Sequence, residues 1–295
     1  MIIVNLKGGL GNQMFEYAAG RRLAVKHNVE LKLDTTFLLD RNPSFSHVFR
    51  DYDLDIFPRL SPMFASIKEI APLKSYINRT FRFRILNRLN AKPGLYKEIK
   101  FSYHEDFEKL GPDTYLDGYW QSDKYFKPIE AIIRKDFSFA PFTLQKNFEL
   151  AIKITVNNSV CINIRRGDFV NDKHSNKRHG FTGLDYVANA VQLVSTSVQN
   201  PSFYIFSDEI EWCKGNIKLA FPTFFIDHTH AGHKFADYLQ LMTLCKHFII
   251  PNSSFAWWAA WLNTNPDKIV VAPKKWFNNG PTDTQDILPE GCIKL

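Results

Sequence analysis

Two adjacent arginines, Arg165 and Arg166, follow an apolar run and are themselves followed by Gly167 and Asp168. Guanidinium groups stay charged at any relevant pH, and their forked donors match the oxygens of a phosphate. The pattern therefore favours a phosphate site in which Asp168 holds one of the two forks. The alternative is a structural ion pair between arginine and aspartate at the edge of a sheet.

A second polar cluster, formed by Asn252, Ser253, Ser254 and Phe255, is typical of a turn that leads from a strand into a helix. Serine hydroxyls and the free N–H groups of a helix N-terminus bind anions. A simpler role, in which Ser253 or Ser254 only caps the helix, does not exclude such a site. Together with the arginine pair, this cluster predicts a clamp for a diphosphate.

The segment from Lys7 to Gln13, KGGLGNQ, also joins an apolar strand to a helical pattern. It matches neither the dinucleotide-binding glycine motif nor the P-loop. Two interpretations stay open: a loop that lets a ligand approach the backbone closely, or a plain tight turn.

Candidate general bases are less distinct. Asp168 and Asp172 follow the arginines, and Asp34 ends a strand of the first half, so the sequence does not single one out. The alternating aspartates Asp51, Asp53 and Asp55 resemble a D-x-D metal site, but the arginines already supply the positive charge that a metal would bring. We expect neither a metal ion nor a cofactor.

Composition sets the broad class. A chain of 295 residues with 45% hydrophobic content can bury two cores. Its four cysteines show no C-x-x-C spacing and are expected to be reduced thiols. The net charge is +7, and the segment 74–97 contains basic but no acidic residues. That segment is either a solvated basic face or a contact for anionic lipid, and no nucleic-acid motif accompanies it.

The N-terminus lacks the apolar core and cleavage site of a signal peptide. No apolar run approaches the roughly 18–20 residues that span a bilayer. These features predict a cytoplasmic protein, with segment 74–97 as a candidate peripheral contact at the inner face of the membrane.

Hydrophobic periodicity predicts alternating strands and helices. In the first half we expect strands over 2–6, 30–34 and 115–120 and helices over 12–27 and 128–134, with 36–110 unassigned. In the second half we expect strands over 160–164, 203–206, 223–226, 247–250 and 268–272 and helices over 184–195, 235–245 and 255–262. This alternation predicts an α/β fold with a doubly wound parallel sheet. Domains are expected over 1–150 and 151–295.

Polar residues follow three of the predicted strands of the second half. Arg165 follows the first, Ser207 and Asp208 follow the second, and Asn252 lies just beyond the fourth. Parallel sheets bind ligands beyond the carboxyl ends of their strands. The sequence therefore places the diphosphate clamp at this edge.

Several motifs, taken in order, resemble the α-1,2-fucosyltransferases of glycosyltransferase family 11. Residues 8–15 are similar to the opening signature of the family, and 164–168 to its HxRRxD donor motif. Residues 206–208 and 252–258 resemble two later motifs, and 118–122 recurs in bacterial members. The resemblance runs nearly from end to end.

This resemblance implies a GT-B-like fold of two Rossmann-like domains with the active site in the cleft between them. The first domain, with the GGLGNQ loop, would bind the acceptor, and the second would bind the nucleotide-sugar. The implied enzyme is an inverting, metal-independent α-1,2-fucosyltransferase. It would move L-fucose from GDP-β-L-fucose to the 2-hydroxyl of a terminal β-galactose in an O-antigen, an oligosaccharide or a lipid-linked glycan.

The resemblance also assigns residues. Arg165 would bind the β-phosphate with support from Arg166, and Asp237 would lie near guanine. The implied donor contacts are Gly11, Asn12, Gln13, Asn163, Arg165, Arg166, Asp168, Ser207, Asp208, Asp237, Asn252, Ser253, Ser254 and Phe255. The catalytic candidates are Arg165, Asp168 and Asp172.

One position departs from the family pattern, since Asn163 stands where the motif begins with histidine. An amide still donates and accepts hydrogen bonds but does not titrate, so this position cannot carry a proton. Two alternatives follow: a glycosyltransferase with another donor or linkage, or a non-catalytic protein that binds a nucleotide-sugar. Tyr119, Trp120 and Gln121 are expected to supply the stacking and hydrogen-bonding surface for the acceptor.

Overall fold

The computed structural model describes residues 1–41, 49–74 and 94–295, except the side chains of Leu73, Lys74, Asp168, His174 and Ser175. The chain forms two compact units. The first contains residues 1–138 and 283–287, and the second contains 139–282 and 288–295. Each unit is built on its own parallel sheet.

The sheet of the first unit has the strand order β3-β2-β1-β5-β4, and every neighbouring pair is parallel. Its strands are β1 (Ile2–Asn5), β2 (Leu31–Asp34), β3 (Met63–Phe64), β4 (Gly94–Lys97) and β5 (Thr114–Asp117). The order reverses at β1, which lies between β2 and β5. Open α/β sheets bind ligands at such a reversal, beyond the carboxyl ends of the strands.

Helix α1 (Leu10–His27) packs on this sheet. Gly20 makes the contact close, because a Cβ at this position would lie 2.2 Å from Cγ2 of Val4 on β1. The helix ends at Asn28, whose left-handed backbone (φ 51°) stops the helical pattern. The unit also contains α2 (Thr36–Leu39), α3 (Ile67–Lys74), α4 (Glu130–Asp136) and 3₁₀ turns at Leu54–Ile56, Glu105–Lys109, Asp123–Tyr125 and Lys127–Ile129.

The sheet of the second unit has the order β11-β10-β9-β6-β7-β8 and is parallel throughout. Its strands are β6 (Asn158–Ile164), β7 (Pro201–Ser207), β8 (Thr223–Ile226), β9 (His247–Ile249), β10 (Val270–Ala272) and β11 (Ile293–Lys294). All of β7 and nearly all of β6 are buried. Burial on both faces explains why these strands are continuously apolar in sequence.

Helices surround the second sheet. They are α5 (Gln145–Val156), α6 (Gly167–Asn171), α7 (Lys173–Arg178), α8 (Leu184–Ser197), α9 (Ile210–Asn216), α10 (Ala236–Thr243) and α11 (Ser254–Leu262), with 3₁₀ turns at His228–His230 and His233–Phe235. Val187 and Val194 of α8 pack with Ile162 and Ile205 of the central strands in one buried cluster. This core fixes the strand ends that carry the polar residues.

The elements predicted from periodicity are confirmed with small shifts at their ends, and the short strands β3, β4 and β11 were not predicted. The predicted domain boundary at residue 150 falls inside α5. This helix belongs to the second unit, because Ile154 is fully buried there and Asn147 binds Asp237 of α10. Its outer face carries exposed apolar residues such as Phe148 and Ile152, so its sequence shows no clear apolar stripe.

No helix among the described residues is long and apolar enough to cross a membrane. The basic segment 74–97, interpreted as either a solvated face or a contact for anionic lipid, lies for the most part outside the described residues, since only Lys74 and 94–97 belong to the described ranges. That contact stays a prediction.

Candidate functional site

The carboxyl ends of three adjoining strands bring the predicted anion-binding residues of the second unit together. Ile164 of β6 pairs with Ser207 of β7, and Ile162 pairs with Ile249 of β9. Arg165, Asp208 and Asn252 therefore leave the sheet at one level. Since the strand order reverses between β6 and β9, this edge is the position where open α/β sheets bind ligands.

The Asp208 side chain organises this edge. Its carboxylate accepts hydrogen bonds from the backbone N–H groups of Arg166 and Gly167, at 2.9 and 3.0 Å. Oδ2 also pairs with Nη1 of Arg165 at 2.9 Å. Gly167 permits this approach, because a Cβ there would lie 2.8 Å from Oδ2. Among the carboxylates whose side chains are described, Asp208 holds the Arg165 fork, whereas the side chain of Asp168, predicted for this role, lies outside the described structure.

Arg165 is held in place without being enclosed. Its side chain keeps 28% of its exposure while paired with Asp208, and Cζ lies 5.5 Å from the centre of the Phe169 ring. A guanidinium in this position has a fixed direction and remains accessible to an anionic ligand.

Arg166 is more firmly bound to the protein. Nη1 pairs with Glu209, and Cζ lies 4.3 Å from the centre of the Trp212 ring. Its Nε is buried and has no hydrogen-bond partner among the described residues. Asn171 donates to the other oxygen of Glu209 at 2.9 Å. These contacts bind Arg166 to the protein, and its support of a phosphate contact stays a prediction.

The side chains of Asn163 and Ser207 make hydrogen bonds to backbone groups near the ends of β6 and β7. Asn163 is 7% exposed and donates from Nδ2 to the carbonyl of Phe206, at 3.3 Å. Ser207 is 1% exposed, and its hydroxyl accepts the N–H of Glu209 at 2.9 Å. Both side chains therefore have structural contacts, and their contact with a donor stays a prediction.

The turn after β9 leads into α11 at the same edge. Asn252 fixes this turn by donating from Nδ2 to the carbonyls of His179 and Trp276, each at 3.0 Å. Ser253 is the N-cap residue, yet its hydroxyl makes no capping hydrogen bond in the described structure. The first turn of α11, with Ser254 and Phe255, contains no acidic residue, so its N–H groups present positive potential at this edge.

Asp237 lies at the start of α10, beyond β8 and two strands from β6. It accepts a hydrogen bond from Nδ2 of Asn147 at 2.7 Å, and Oδ1 of Asn147 lies 2.6 Å from His230 Nδ1. The preceding residues Lys234 and Phe235 both have left-handed backbones, with φ of 48° and 64°. Backbone strain of this kind is common at ligand-binding positions.

Two of the three candidate bases, Asp168 and Asp172, lie in the segment after β6. Asp168 belongs to α6, and its side chain is outside the described structure. Asp172 is half-buried at the junction of α6 and α7. A general base at either position stays a prediction.

In the first unit, the glycine loop leads from β1 into α1. Gly8 has a left-handed backbone (φ 71°), and Gln13 is fully buried. The Gln13 amide donates to the carbonyls of Gly8 and Asp51 and accepts from the N–H of Asp53, at 2.7–2.9 Å. Gln13 therefore fastens the loop to a neighbouring segment, which differs from the direct donor contact that was expected.

Asn12 and Gly11 occupy the first turn of α1. Oδ1 of Asn12 accepts a hydrogen bond from Nε2 of Gln121, at 2.8 Å. This bond connects the loop after β1 with the loop after β5, the two loops at the reversal of the sheet. The opposite amide atom, Oε1 of Gln121, is buried and has no partner among the described residues.

The expectation that Trp120 stacks on a sugar is wrong. Its indole is 1% exposed and packs with Tyr96, Phe107 and Tyr125, at centroid distances of 5.4–5.8 Å. Tyr119 remains half-buried, with Lys7 Nζ 5.1 Å from the centre of its ring. Burial of one aromatic in a polar turn is a tertiary property that the local sequence does not reveal.

Two carboxyl groups of the first unit, the half-buried Glu98 and the fully buried Glu16, were not predicted from the sequence. Burial raises the pKa of Glu98 to about 7, although the N–H groups of Tyr119 and Trp120 favour its ionised form. Burial also raises the pKa of Glu16 well above its ordinary value, against the hydrogen bond from the Lys7 N–H. Carboxyl groups with perturbed pKa values cluster at functional sites. These two are recognised only from their burial in the folded structure, which the sequence does not show.

Neither unit contains a cluster of three or more histidine, cysteine, aspartate or glutamate side chains placed to hold a metal ion, as far as the described residues extend. In the D-x-D segment, Asp51 pairs with Arg41 through Oδ1, and the backbone N–H of Asp53 binds Gln13.

The fold and this site define the class of protein. Two parallel-sheet, Rossmann-like α/β units, with a basic ligand edge in the second, give a GT-B-like fold. A solved structure of an Arabidopsis thaliana FUT1 mutant in complex with GDP shares the fold, with a TM-score of 0.51 and 12% identity. The alignment covers 99% of this chain and 75% of that one.

The glycosyl transferase family 11 model matches residues 63–291, and the chain belongs to this family. The Escherichia coli alpha-1,2-colitosyltransferase is 30% identical over 296 residues, covering 100% of this chain and 99% of its own. The Escherichia coli O-antigen biosynthesis glycosyltransferase WbnK is 31% identical over 297 residues, covering 95% and 97%. The family resemblance inferred from the motifs is thereby confirmed.

Proposed function

We propose that the chain is an inverting α-1,2-fucosyltransferase that moves L-fucose from GDP-β-L-fucose to the 2-hydroxyl of a terminal β-galactose. The observation that carries this proposal is the half-exposed Arg165 guanidinium, which Asp208 holds at the edge where β6 and β9 diverge. Family membership and the GDP bound to the FUT1 structure support a nucleotide-sugar donor. The name of WbnK supports a glycan acceptor of the O-antigen type.

Arg165 acts on the leaving group in this reaction. The acceptor oxygen forms a bond to the anomeric carbon from the face opposite the diphosphate, the bond from that carbon to the phosphate oxygen breaks, and its electron pair leaves with GDP. The proton of the acceptor hydroxyl passes to a base or to water. Charge grows on the diphosphate, and a preorganised guanidinium stabilises it.

The Arg165→Ala variant tests this role. Loss of one preorganised contact to developing charge costs on the order of 10²–10³ in rate. We expect a folded Arg165→Ala protein to lose GDP release and glycan transfer by about this factor. The matched control is Lys214→Ala, which removes one positive charge from the same unit. Lys214 is exposed and pairs with Glu211. Near-normal turnover of folded Arg165→Ala would remove Arg165 from the mechanism.

Colitose is a second candidate for the transferred sugar, because an E. coli relative that spans the chain is named a colitosyltransferase. Colitose lacks the 3-hydroxyl of fucose. Initial rates with GDP-fucose and GDP-colitose on one β-galactoside separate the two donors. A kcat/KM at least tenfold higher with GDP-colitose would mean that the transferred sugar is colitose and not fucose.

The linkage and the acceptor need product analysis. A panel of β-galactosides, with the products analysed for the substituted hydroxyl, identifies the acceptor position. Binding of GDP-fucose without release of GDP for any acceptor would favour the non-catalytic alternative. We propose that no metal is required, so excess EDTA should leave the rate unchanged.

A further inference from the structure

Glu98 lies beside the turn that follows β5. It comes directly after β4, and its backbone N–H binds the carbonyl of Asp117 at 2.9 Å, which continues the ladder between the two strands. The carboxylate spans the start of the turn. Oε2 accepts the N–H of Tyr119 at 2.7 Å, and Oε1 accepts the N–H of Trp120 at 2.9 Å.

The turn depends on these two hydrogen bonds to Glu98, which together form the Glu98 bracket. Trp120 has a left-handed backbone (φ 53°), an unfavourable conformation for an aromatic residue. Gly118 allows the carboxylate to approach, because a Cβ there would lie 2.3 Å from Cβ of Glu98. One ionised carboxylate accepts hydrogen bonds from two consecutive amides, which offsets the strain.

The bracket extends to the first turn of α1. Gln121 follows the strained residue and donates to Oδ1 of Asn12 at 2.8 Å. The two loops so joined leave β5 and β1, the adjacent strands at which the order of this sheet reverses. Glu98 is not itself at this reversal, because it follows the edge strand β4. It therefore acts on the ligand edge through the turn.

The charged surroundings of Glu98 come from several elements. Lys7, in the loop after β1, lowers the pKa of Glu98, and Asp283 raises it. Glu16 of α1 is buried close enough for the charge of Glu98 to raise its pKa, and the phenols of Tyr96 and Tyr125 are affected in the same way. Burial outweighs the favourable contacts and brings the pKa of Glu98 to about 7.

We propose that Glu98 is a positioning residue, whose ionised carboxylate fixes the turn from Tyr119 to Gln121 so that it receives the acceptor sugar. The proposal rests on the fucosyltransferase function proposed above. A protonated carboxyl, like a carboxamide, offers one good acceptor in place of two. Protonation therefore releases one of the two turn amides.

Glu98→Gln imitates the protonated state and tests the proposal. At pH 8 we expect the KM for the β-galactoside to rise about tenfold, the effect of losing one hydrogen bond to a charged group, with kcat and the KM for the donor little changed. Below about pH 6 the acceptor KM of the wild type should approach that of the variant, because Glu98 of the wild type is then protonated. Glu105→Gln, at an exposed glutamate of the same unit, is the control and should match the wild type.

Gly118→Ala separates geometry from charge. It displaces the carboxylate without removing it, so the acceptor KM should rise at every pH from 6 to 8. Equal acceptor KM values for wild type and Glu98→Gln at pH 8, or a ratio between them that does not change with pH, would overturn the proposal.

Hydrogen exchange gives a readout that needs no turnover. In Glu98→Gln, the peptide that contains Tyr119 and Trp120 should exchange faster than in the wild type at pH 8, with β1 and α1 unchanged. If the wild type transfers no sugar but this change is seen, the proposed function fails while the bracket stands. If the wild type is active and neither exchange nor KM changes, only the role of Glu98 fails.

Discussion

Single carboxylates determine the geometry at both ligand edges. In the second unit, Asp208 binds two consecutive backbone N–H groups and Arg165. In the first unit, Glu98 binds two consecutive N–H groups of a turn. In each case a glycine, Gly167 or Gly118, allows the carboxylate to approach the backbone. The same local device thus occurs once in each sheet.

Glu16 should make stability depend on pH. Its pKa is raised in the folded protein by burial, so the folded state binds a proton more tightly than the unfolded state. Stability is therefore lost as pH rises from about 4.5 toward the folded pKa. We expect Glu16→Gln to have the stability of the wild type near pH 4.5 and to exceed it by more than about 1 kcal/mol at pH 8.

Urea unfolding of both proteins at the two pH values measures this difference. Lys7 donates to Glu16 in either protein through its backbone N–H, so the variant keeps that contact. An identical dependence of the unfolding free energy on pH in the two proteins would show that Glu16 is ionised in the fold.

At the scale of elements, the turn between β9 and α11 depends on one amide. Asn252 is 4% exposed and donates to two carbonyls. Asn252→Asp would place a carboxylate against those carbonyls and remove both hydrogen bonds. We expect a loss of about 3 kcal/mol in the free energy of unfolding, measured with urea at pH 7.

The same substitution at an exposed site provides the control. Asn216 is exposed and makes one hydrogen bond to the carbonyl of Trp212 at 2.8 Å, so Asn216→Asp should cost less than about 1 kcal/mol. Equal costs at the two positions would mean that the buried amide does not hold the turn.

At the scale of the whole molecule, each unit has its own candidate ligand edge. We expect GDP to bind to the second unit. Saturation at about 100 times the Kd adds about 2.7 kcal/mol of stability to the unit that binds it. Hydrogen exchange should slow at residues 165–167 and 253–255 when GDP is added. Unchanged exchange at 165–167 under saturating GDP would contradict the phosphate role of Arg165.

The sequence predicted most of the long elements because their apolar periodicity is strong, as in α8. It missed α5 as a helix of the second unit, since Leu144, Phe148 and Ile152 are exposed and only a narrow face is buried. It also missed β3 and β11, which have two residues each. Strands of that length are defined by their neighbours and leave no pattern of their own.

The position of the site in the second unit was predicted better than the contacts of its individual side chains. The arginine pair and the Asn252 turn meet at one edge as expected, because a parallel sheet aligns its carboxyl ends. Gln13 and Trp120 were assigned to ligands, yet both are buried and serve the fold. A side chain's type shows what it can bind, but its burial decides whether a ligand reaches it.

The order of motifs along the chain by itself determined the family and the two-sheet α/β architecture, because these depend on local periodicity and on spacing. The tertiary structure alone decided which carboxylate holds Arg165 and how strongly burial raises the pKa of Glu98 and Glu16. Desolvation and pairing depend on distances between residues far apart in the chain, and those distances exist only once the sheets have formed.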